Sequence, residues 1–306
     1  MATFANILYD EAFKVILANP TNRELLIRLV EFFLPEKTIK TLSFNDKEQH
    51  GLLLSSKNST FDLYCTTDQG ERLIVEMQFD SQASFRDRML YYASFPIQLQ
   101  MMERMQELQR RVDAGESITS AMRMDYKLSP VYVISIVNFT LPHDSDNALE
   151  GGLISRYDIR NNLNGELMTN ALHFIYFELG RLRLREDEQE KCSSLLEQLA
   201  FSFRYGHLLE QRPELFENEL LRLLFKAMAF ANMTAEQLTK VQSIMRTELD
   251  IIAQRNWARE EGLAEGKAQG RAQAEEEAEA KQKEFIERLR SLGVEDALIQ
   301  QALSRE

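Results

Sequence analysis

Two hydrophobic spacings alternate along the chain, and the points where one gives way to the other outline its elements. Residues 5–17 set Phe13, Ile16 and Leu17 at the 3.6-residue spacing of a helix, which Asn19 and Pro20 end. Residues 22–33 repeat that spacing with Leu25, Leu26, Leu29, Val30 and Phe33. Thr21 stands at the N-cap position, Glu24 completes a capping box, and Pro35 lies beyond the end. The period then shortens. Two short strand candidates fall within 41–56, around Asp46 to Gln49, and two β-rich runs follow at 60–67 and 71–79, joined by the turn signal Asp68, Gln69, Gly70. Residues 84–111 return to helical spacing. Residues 130–139 are a continuous apolar run, as expected of a central, parallel strand buried on both faces. The helix between 71–79 and 130–139 then serves as a right-handed crossover. The order helix, three strands, helix, strand predicts an α/β core within residues 1–145.

The pattern beyond this core reads as helical, over 166–181, 188–206, 214–231 and 234–256, with an edge-strand candidate near 153–158. Residues 146–256 are therefore expected to be a helical region packed on or extending the core. Residues 257–306 change character. Gly262, Gly266 and Gly270 lie four apart among dense charges, and each glycine weakens a helix by about 1 kcal/mol, so a solvated helix or linker is expected, with close helix packing on the glycine face as the sharper alternative. Phe285 to Leu303 reads as a small helical hairpin broken at Gly293. Trp257 reads as a packing anchor and Cys65 as a small apolar core residue.

Composition narrows the function classes. The 306 residues are 44% hydrophobic and 27% charged, enough apolar material for a sizeable core, which excludes disorder as the main state. No run approaches the roughly 18 apolar residues of a membrane span, and the opening residues lack a basic region followed by an apolar run, so neither a span nor a secretory signal is expected. Cys65 and Cys192 cannot form a disulfide framework, and neither has metal-ligand spacing. A reducing, cytoplasmic setting follows as an expectation. The four histidines are too scattered for a zinc site. The net charge of −12 excludes nucleic-acid binding by bulk charge, so contact with DNA would need a local basic patch or metal ions to offset carboxylates.

The residues that carry chemistry are Asp62, Glu76 and Gln78. If Asp68, Gln69 and Gly70 form a three-residue loop with Gly70 left-handed, Thr67 pairs with Glu71 and Asp62 falls opposite Glu76. Directly opposed residues share a face with Cβ atoms about 5 Å apart, and Gln78 lies on that face too. A two-residue loop would instead set Asp62 opposite Met77. Two facing carboxylates repel unless a cation lies between them. Oxygen ligands of this kind suit Mg²⁺ or Mn²⁺, the cations of phosphodiester hydrolysis. The consecutive Leu73, Ile74 and Val75 imply that both faces of this strand are covered, which argues against a merely solvent-facing pair.

This set resembles the PD-(D/E)XK nuclease superfamily and, more narrowly, its bacterial family of recombination-promoting nucleases and transposases. Five segments carry the likeness: Asp10-Glu11-Ala12-Phe13-Lys14; Phe61-Asp62-Leu63-Tyr64-Cys65; Ile74-Val75-Glu76-Met77-Gln78; Arg88-Met89-Leu90-Tyr91-Tyr92; and Pro130-Val131-Tyr132-Val133-Ile134. The glycine-spaced charged tail is also typical of that family. The resemblance implies a restriction-endonuclease-like α-β-β-β-α-β core and a Mg²⁺- or Mn²⁺-dependent endonuclease acting on DNA in recombination. It implies that Asp62, Glu76 and the backbone carbonyl of Met77 hold the metal, that Asp10 adds a carboxylate, and that Gln78 stands where the superfamily has lysine. Glu11, the neighbouring candidate, would point about 100° away on its helix. Arg88, Arg86 and Lys14 become candidate DNA contacts, and Tyr91 and Tyr92 candidate base or sugar contacts or core residues. A homodimer suits a double-strand cutter. Two other classes fit the same sequence: a nuclease fold without activity that binds DNA, favoured by Gln78 and the acidic charge, and an assembly module built on residues 166–306.

Overall fold

The computed structural model describes residues 3–45, 48–49, 59–116, 126–143 and 152–291. The chain divides into two compact units, residues 1–245 and 246–306. The first unit is built on a six-stranded mixed sheet in the order β1-β4-β5-β6-β8-β7, with β1 Leu42–Phe44, β4 Leu63–Thr67, β5 Arg72–Gln78, β6 Val131–Val137, β7 Ile154–Asp158 and β8 Leu172–Glu178. A separate antiparallel pair joins β2 Glu48–Gln49 to β3 Ser59–Thr60. The helices are α1 Asp10–Leu17, α2 Arg23–Phe33, α3 Phe85–Asp113, α4 Leu195–Tyr205, α5 Glu219–Met228 and α6 Ala235–Ser291.

β1, β4 and β5 form an antiparallel meander, α3 crosses over, and β6 returns parallel to β5. Every residue of β6 is buried, as its unbroken apolar run requires. The β4–β5 hairpin has the three-residue loop. The Gly70 N–H donates to the Thr67 carbonyl at 2.9 Å, and the Thr67 N–H donates to the Glu71 carbonyl at 3.0 Å. Gly70 has φ +82°, a conformation open to glycine and strained for other residues. The ladder pairs Leu63 with Val75 and Thr66 with Arg72, the register that sets Asp62 opposite Glu76.

α3 covers one face of the sheet. Phe85, Met89, Ala93 and Phe95 pack with Phe61, Ile74, Val133 and Tyr176. On the other face Phe177 of β8 meets the ring of Phe33 of α2 at 5.4 Å and that of Phe203 of α4 at 6.2 Å. α1 buries Ala12, Phe13, Ile16 and Leu17 and leaves Asp10 and Lys14 on its opposite side, one turn apart.

Three sequence expectations are corrected. Residues 166–181 are not a helix. They contain β8, which pairs parallel with β6, while β7 closes the edge antiparallel to β8. Leu172, Phe174, Ile175, Tyr176 and Phe177 suit a strand covered on both faces, and burial there overrides a spacing that also satisfies a helix. The region after residue 145 is therefore not all-helical, and it extends the sheet. The segment just after β6 and the turn after β8 are tightly fitted: a Cβ on Gly180 would lie 2.4 Å from the Phe139 carbonyl carbon.

Thr21 does not cap α2. Pro20–Asn22 forms a short 3₁₀ turn, in which Asn19 Oδ1 accepts the Thr21 N–H at 3.0 Å. Pro20 at the first position favours that turn. The second unit, among its described residues, is the continuation of α6. Trp257 is 67% exposed there and anchors no packing, and Gly262, Gly266 and Gly270 face open space. The hairpin expected over Phe285 to Leu303 lies mostly outside the described residues, and its start, to Ser291, is helical. Among the described residues no helix is long and apolar enough to cross a membrane.

Candidate active site

The hairpin register brings Asp62 and Glu76 together at the end of β5. Asp62 lies one residue before β4, and both carboxylates are buried, with 8% and 5% exposure. The Asp62 N–H donates to Glu76 Oε1 at 3.1 Å, and the Met77 N–H donates to Asp62 Oδ2 at 2.9 Å. Each carboxylate thus keeps one oxygen fixed by backbone. Burial pushes the Asp62 carboxyl up to about 7, against the Met77 N–H, which lowers it. Burial and then the charge of Asp62 push the Glu76 carboxyl well above its ordinary range. Burial, then the charge of Glu76, also raises the Tyr92 phenol.

α1 adds the other ionised groups. Asp10, close to Asp62, raises the Asp62 carboxyl further. Lys14 Nζ lies 2.7 Å from Asp10 Oδ1 and 3.4 Å from Asp62 Oδ1. Burial opposes the Lys14 charge, but the Asp10 bond and the charges of Asp62 and Asp10 outweigh it and hold the ammonium above the usual lysine range. Glu11 turns away, as its helical position requires, and its Oε2 lies 2.9 Å from Lys240 Nζ.

Gln78 shares the face of Glu76 but is held from outside the pair. Its Oε1 accepts from Arg88, and its Nε2 donates to the Asp80 carbonyl at 3.1 Å. Arg88 also donates to Gln82 Oε1 at 2.6 Å and lies 5.2 Å from the Phe85 ring and 5.9 Å from the Tyr92 ring. Arg86 is drawn elsewhere. It donates to the Pro142 carbonyl at 2.7 Å and to the Tyr157 hydroxyl at 3.3 Å. Tyr92 packs edge-on against Phe61 at 5.3 Å, while Tyr91 is 41% exposed. The structure therefore brings Asp10, Lys14, Asp62, Glu76 and Gln78 to one end of the sheet, with Arg88 behind Gln78 and Arg86 directed toward β7.

Two features escaped the sequence reasoning. Ser135 of β6 is paired in register with Glu76, is fully buried, and has no hydrogen-bond partner for its Oγ. Its signal was a lone hydroxyl inside the apolar run 131–137. Glu178, at the end of β8, is also fully buried. It accepts from the Leu141 N–H at 2.9 Å, from His143 Nε2 at 3.0 Å and from the Ser155 hydroxyl. Nothing local in the sequence marks it. This cluster fastens β7, β8 and the segment after β6 together.

A crossover helix on a mixed sheet, with paired acidic residues at the end of the central hairpin, defines an α/β protein of the PD-(D/E)XK kind. A family model described as PD-(D/E)XK nuclease family transposase matches residues 7–257, and the chain belongs to that family. No curated protein and no solved structure matches it.

Proposed function

We propose that the protein is a divalent-metal-dependent endonuclease that hydrolyses phosphodiester bonds in DNA. The observation that carries this reading is the buried Asp62–Glu76 pair. Both carboxyls are pushed upward by burial because no nearby cation fully balances them. A divalent ion relieves that mismatch. The donors are hard oxygens suited to Mg²⁺ or Mn²⁺. Among the described residues no group of three or more His, Cys, Asp or Glu side chains could hold an ion, so a site here relies on two carboxylates, the Met77 carbonyl and water, and Mg²⁺ characteristically retains several waters.

When bound, such an ion supplies charge neutralisation at the phosphate and a more acidic water. The chain's own residues do the rest. Asp62 and Glu76 are fixed by the Met77 and Asp62 N–H groups, so their free oxygens are held in place before substrate arrives. Asp10 provides a further carboxylate at the mouth of the site. Gln78, anchored by Arg88, orients water without adding charge. Arg88 and Lys14 offer cations near the path of the backbone, and Arg86 supports the rim through Tyr157. A homodimer would bring two such sites to a duplex.

The test is nicking and linearisation of supercoiled plasmid with Mg²⁺, Mn²⁺, Ca²⁺ or EDTA, beside Asp62→Ala and Glu76→Ala. The reading requires cleavage with Mg²⁺ or Mn²⁺ that disappears in EDTA and in both variants. A second reading, a DNA-binding protein without cleavage, draws on the neutral Gln78. It requires an uncut plasmid in every metal together with DNA binding that EDTA leaves unchanged.

A further inference from the structure

We propose that Lys14 supplies the positive charge that Gln78 cannot, with its ammonium directed to a non-bridging oxygen of the scissile phosphate. The inference rests on the nuclease reading and specifies a residue of that site. Gln78 is neutral, and both ends of its amide are engaged, by Arg88 and by the Asp80 carbonyl. Arg88 carries charge, but its two hydrogen bonds go to the neutral side chains of Gln78 and Gln82 and its guanidinium lies over Phe85, which makes it the support of Gln78. Arg88 acts on Glu76 through its charge, whereas Lys14, among the described residues, forms an ion pair with Asp62, 3.4 Å from its Oδ1, on a side chain that is 20% exposed. A lysine ammonium is a compact charge with three donors. Asp10 holds the ammonium through both of its oxygens, at 2.7 and 2.8 Å, and the longer 3.4 Å contact to Asp62 is the one a phosphate oxygen would share. Asp10, one turn earlier on α1, fixes the side chain's direction.

In the reaction a bond forms between the water oxygen and phosphorus as the bond from phosphorus to the 3′ oxygen breaks. The water proton passes to solvent and the leaving oxygen takes one from solvent. Lys14 keeps its proton throughout and stabilises the charge that grows on the phosphoryl oxygens.

The experiment moves the charge between positions. Lys14→Met, Gln78→Lys and the double variant are compared with the parent protein for single-turnover plasmid cleavage in Mg²⁺, for affinity to a duplex in Ca²⁺, and for Mn²⁺ affinity by calorimetry, with thermal melts confirming that each is folded. Removing a charged donor used in the transition state costs about 10²–10³-fold in rate. Lys14→Met is expected to lose that much while duplex affinity changes less than about threefold, and adding Gln78→Lys is expected to restore at least about tenfold. Mn²⁺ should bind severalfold tighter to Lys14→Met, because the competing ammonium at Asp62 is gone, and should return toward the parental value in the double variant. A rate loss matched by an equal loss of duplex affinity, or a double variant no faster than Lys14→Met, overturns the assignment. If the parent cuts nothing in any metal, the nuclease reading fails. The assignment then falls with it; where the parent does cut, Mn²⁺ affinities that stay unchanged across the variants overturn the assignment alone.

Discussion

Asp62 and Glu76 are locked to one another through backbone: the Asp62 N–H donates to Glu76 Oε1, and the Met77 N–H, next to Glu76, donates to Asp62 Oδ2. The two side chains cannot separate without breaking a buried hydrogen bond on each strand. Burial raises both carboxyls, and for Glu76 the charge of Asp62 adds to it.

That relationship sets a pH dependence. Both folded pKa values lie above the unfolded ones, near 4, so the native state binds more protons across this range. The contribution is complete below about pH 4 and is lost as pH rises through about 7. Each pKa unit is worth about 1.4 kcal/mol, so metal-free protein should be less stable at pH 8 than at pH 5.5 by a few kcal/mol. Thermal melts in EDTA are expected to show the midpoint falling by about 5–10 °C over that interval. Glu76→Gln should flatten the profile. An equal slope in that variant would place the effect elsewhere.

Gly70→Ala tests the hairpin that sets the register. A side chain at φ +82° costs roughly 1–2 kcal/mol, with no neighbour closer than Ser129 Oγ at 3.9 Å to add a clash. Urea denaturation should show a loss of that size with the slope unchanged.

Ser135→Ala removes a buried hydroxyl that makes no hydrogen bond. The substitution is expected to be neutral or to stabilise the metal-free protein by up to about 1 kcal/mol, because no partner is left unsatisfied. Ser135→Val should instead lose about 1–3 kcal/mol by overpacking beside Glu76. Chemical denaturation of both variants separates the two effects.

Glu178→Ala leaves the Leu141 N–H, His143 and Ser155 without their shared acceptor. Leaving three buried partners without their acceptor costs about 1–3 kcal/mol for each unsatisfied group. Denaturation should report a loss of that order, and Glu178→Gln, which keeps an acceptor, a smaller one.

The sequence made the hairpin legible because turn chemistry and a side-chain period of two fix it together: Gly70 selects the loop, and the loop sets Asp62 opposite Glu76. The central strand β6 was legible because a run with no polar alternation has few other homes. β8 was not, because Leu172, Ile175, Tyr176 and Leu179 also satisfy a helical spacing, and only its neighbours β6 and β7 decide between them. The Lys14–Asp62 contact spans 48 positions and depends on how α1 meets the end of the sheet, which no local pattern encodes. Glu178 was hidden for the same reason: its partners come from two segments remote in sequence, residues 141–143 and β7.

The most direct test of the central claim, that Asp62 and Glu76 form a metal site, is calorimetric titration of Mn²⁺ into the parent protein, Asp62→Asn and Glu76→Gln at pH 7.5. The account predicts saturable binding in the parent, a rise in melting temperature on adding Mn²⁺, and loss of both in each variant. Binding that survives both substitutions, or no binding in the folded parent, would contradict it.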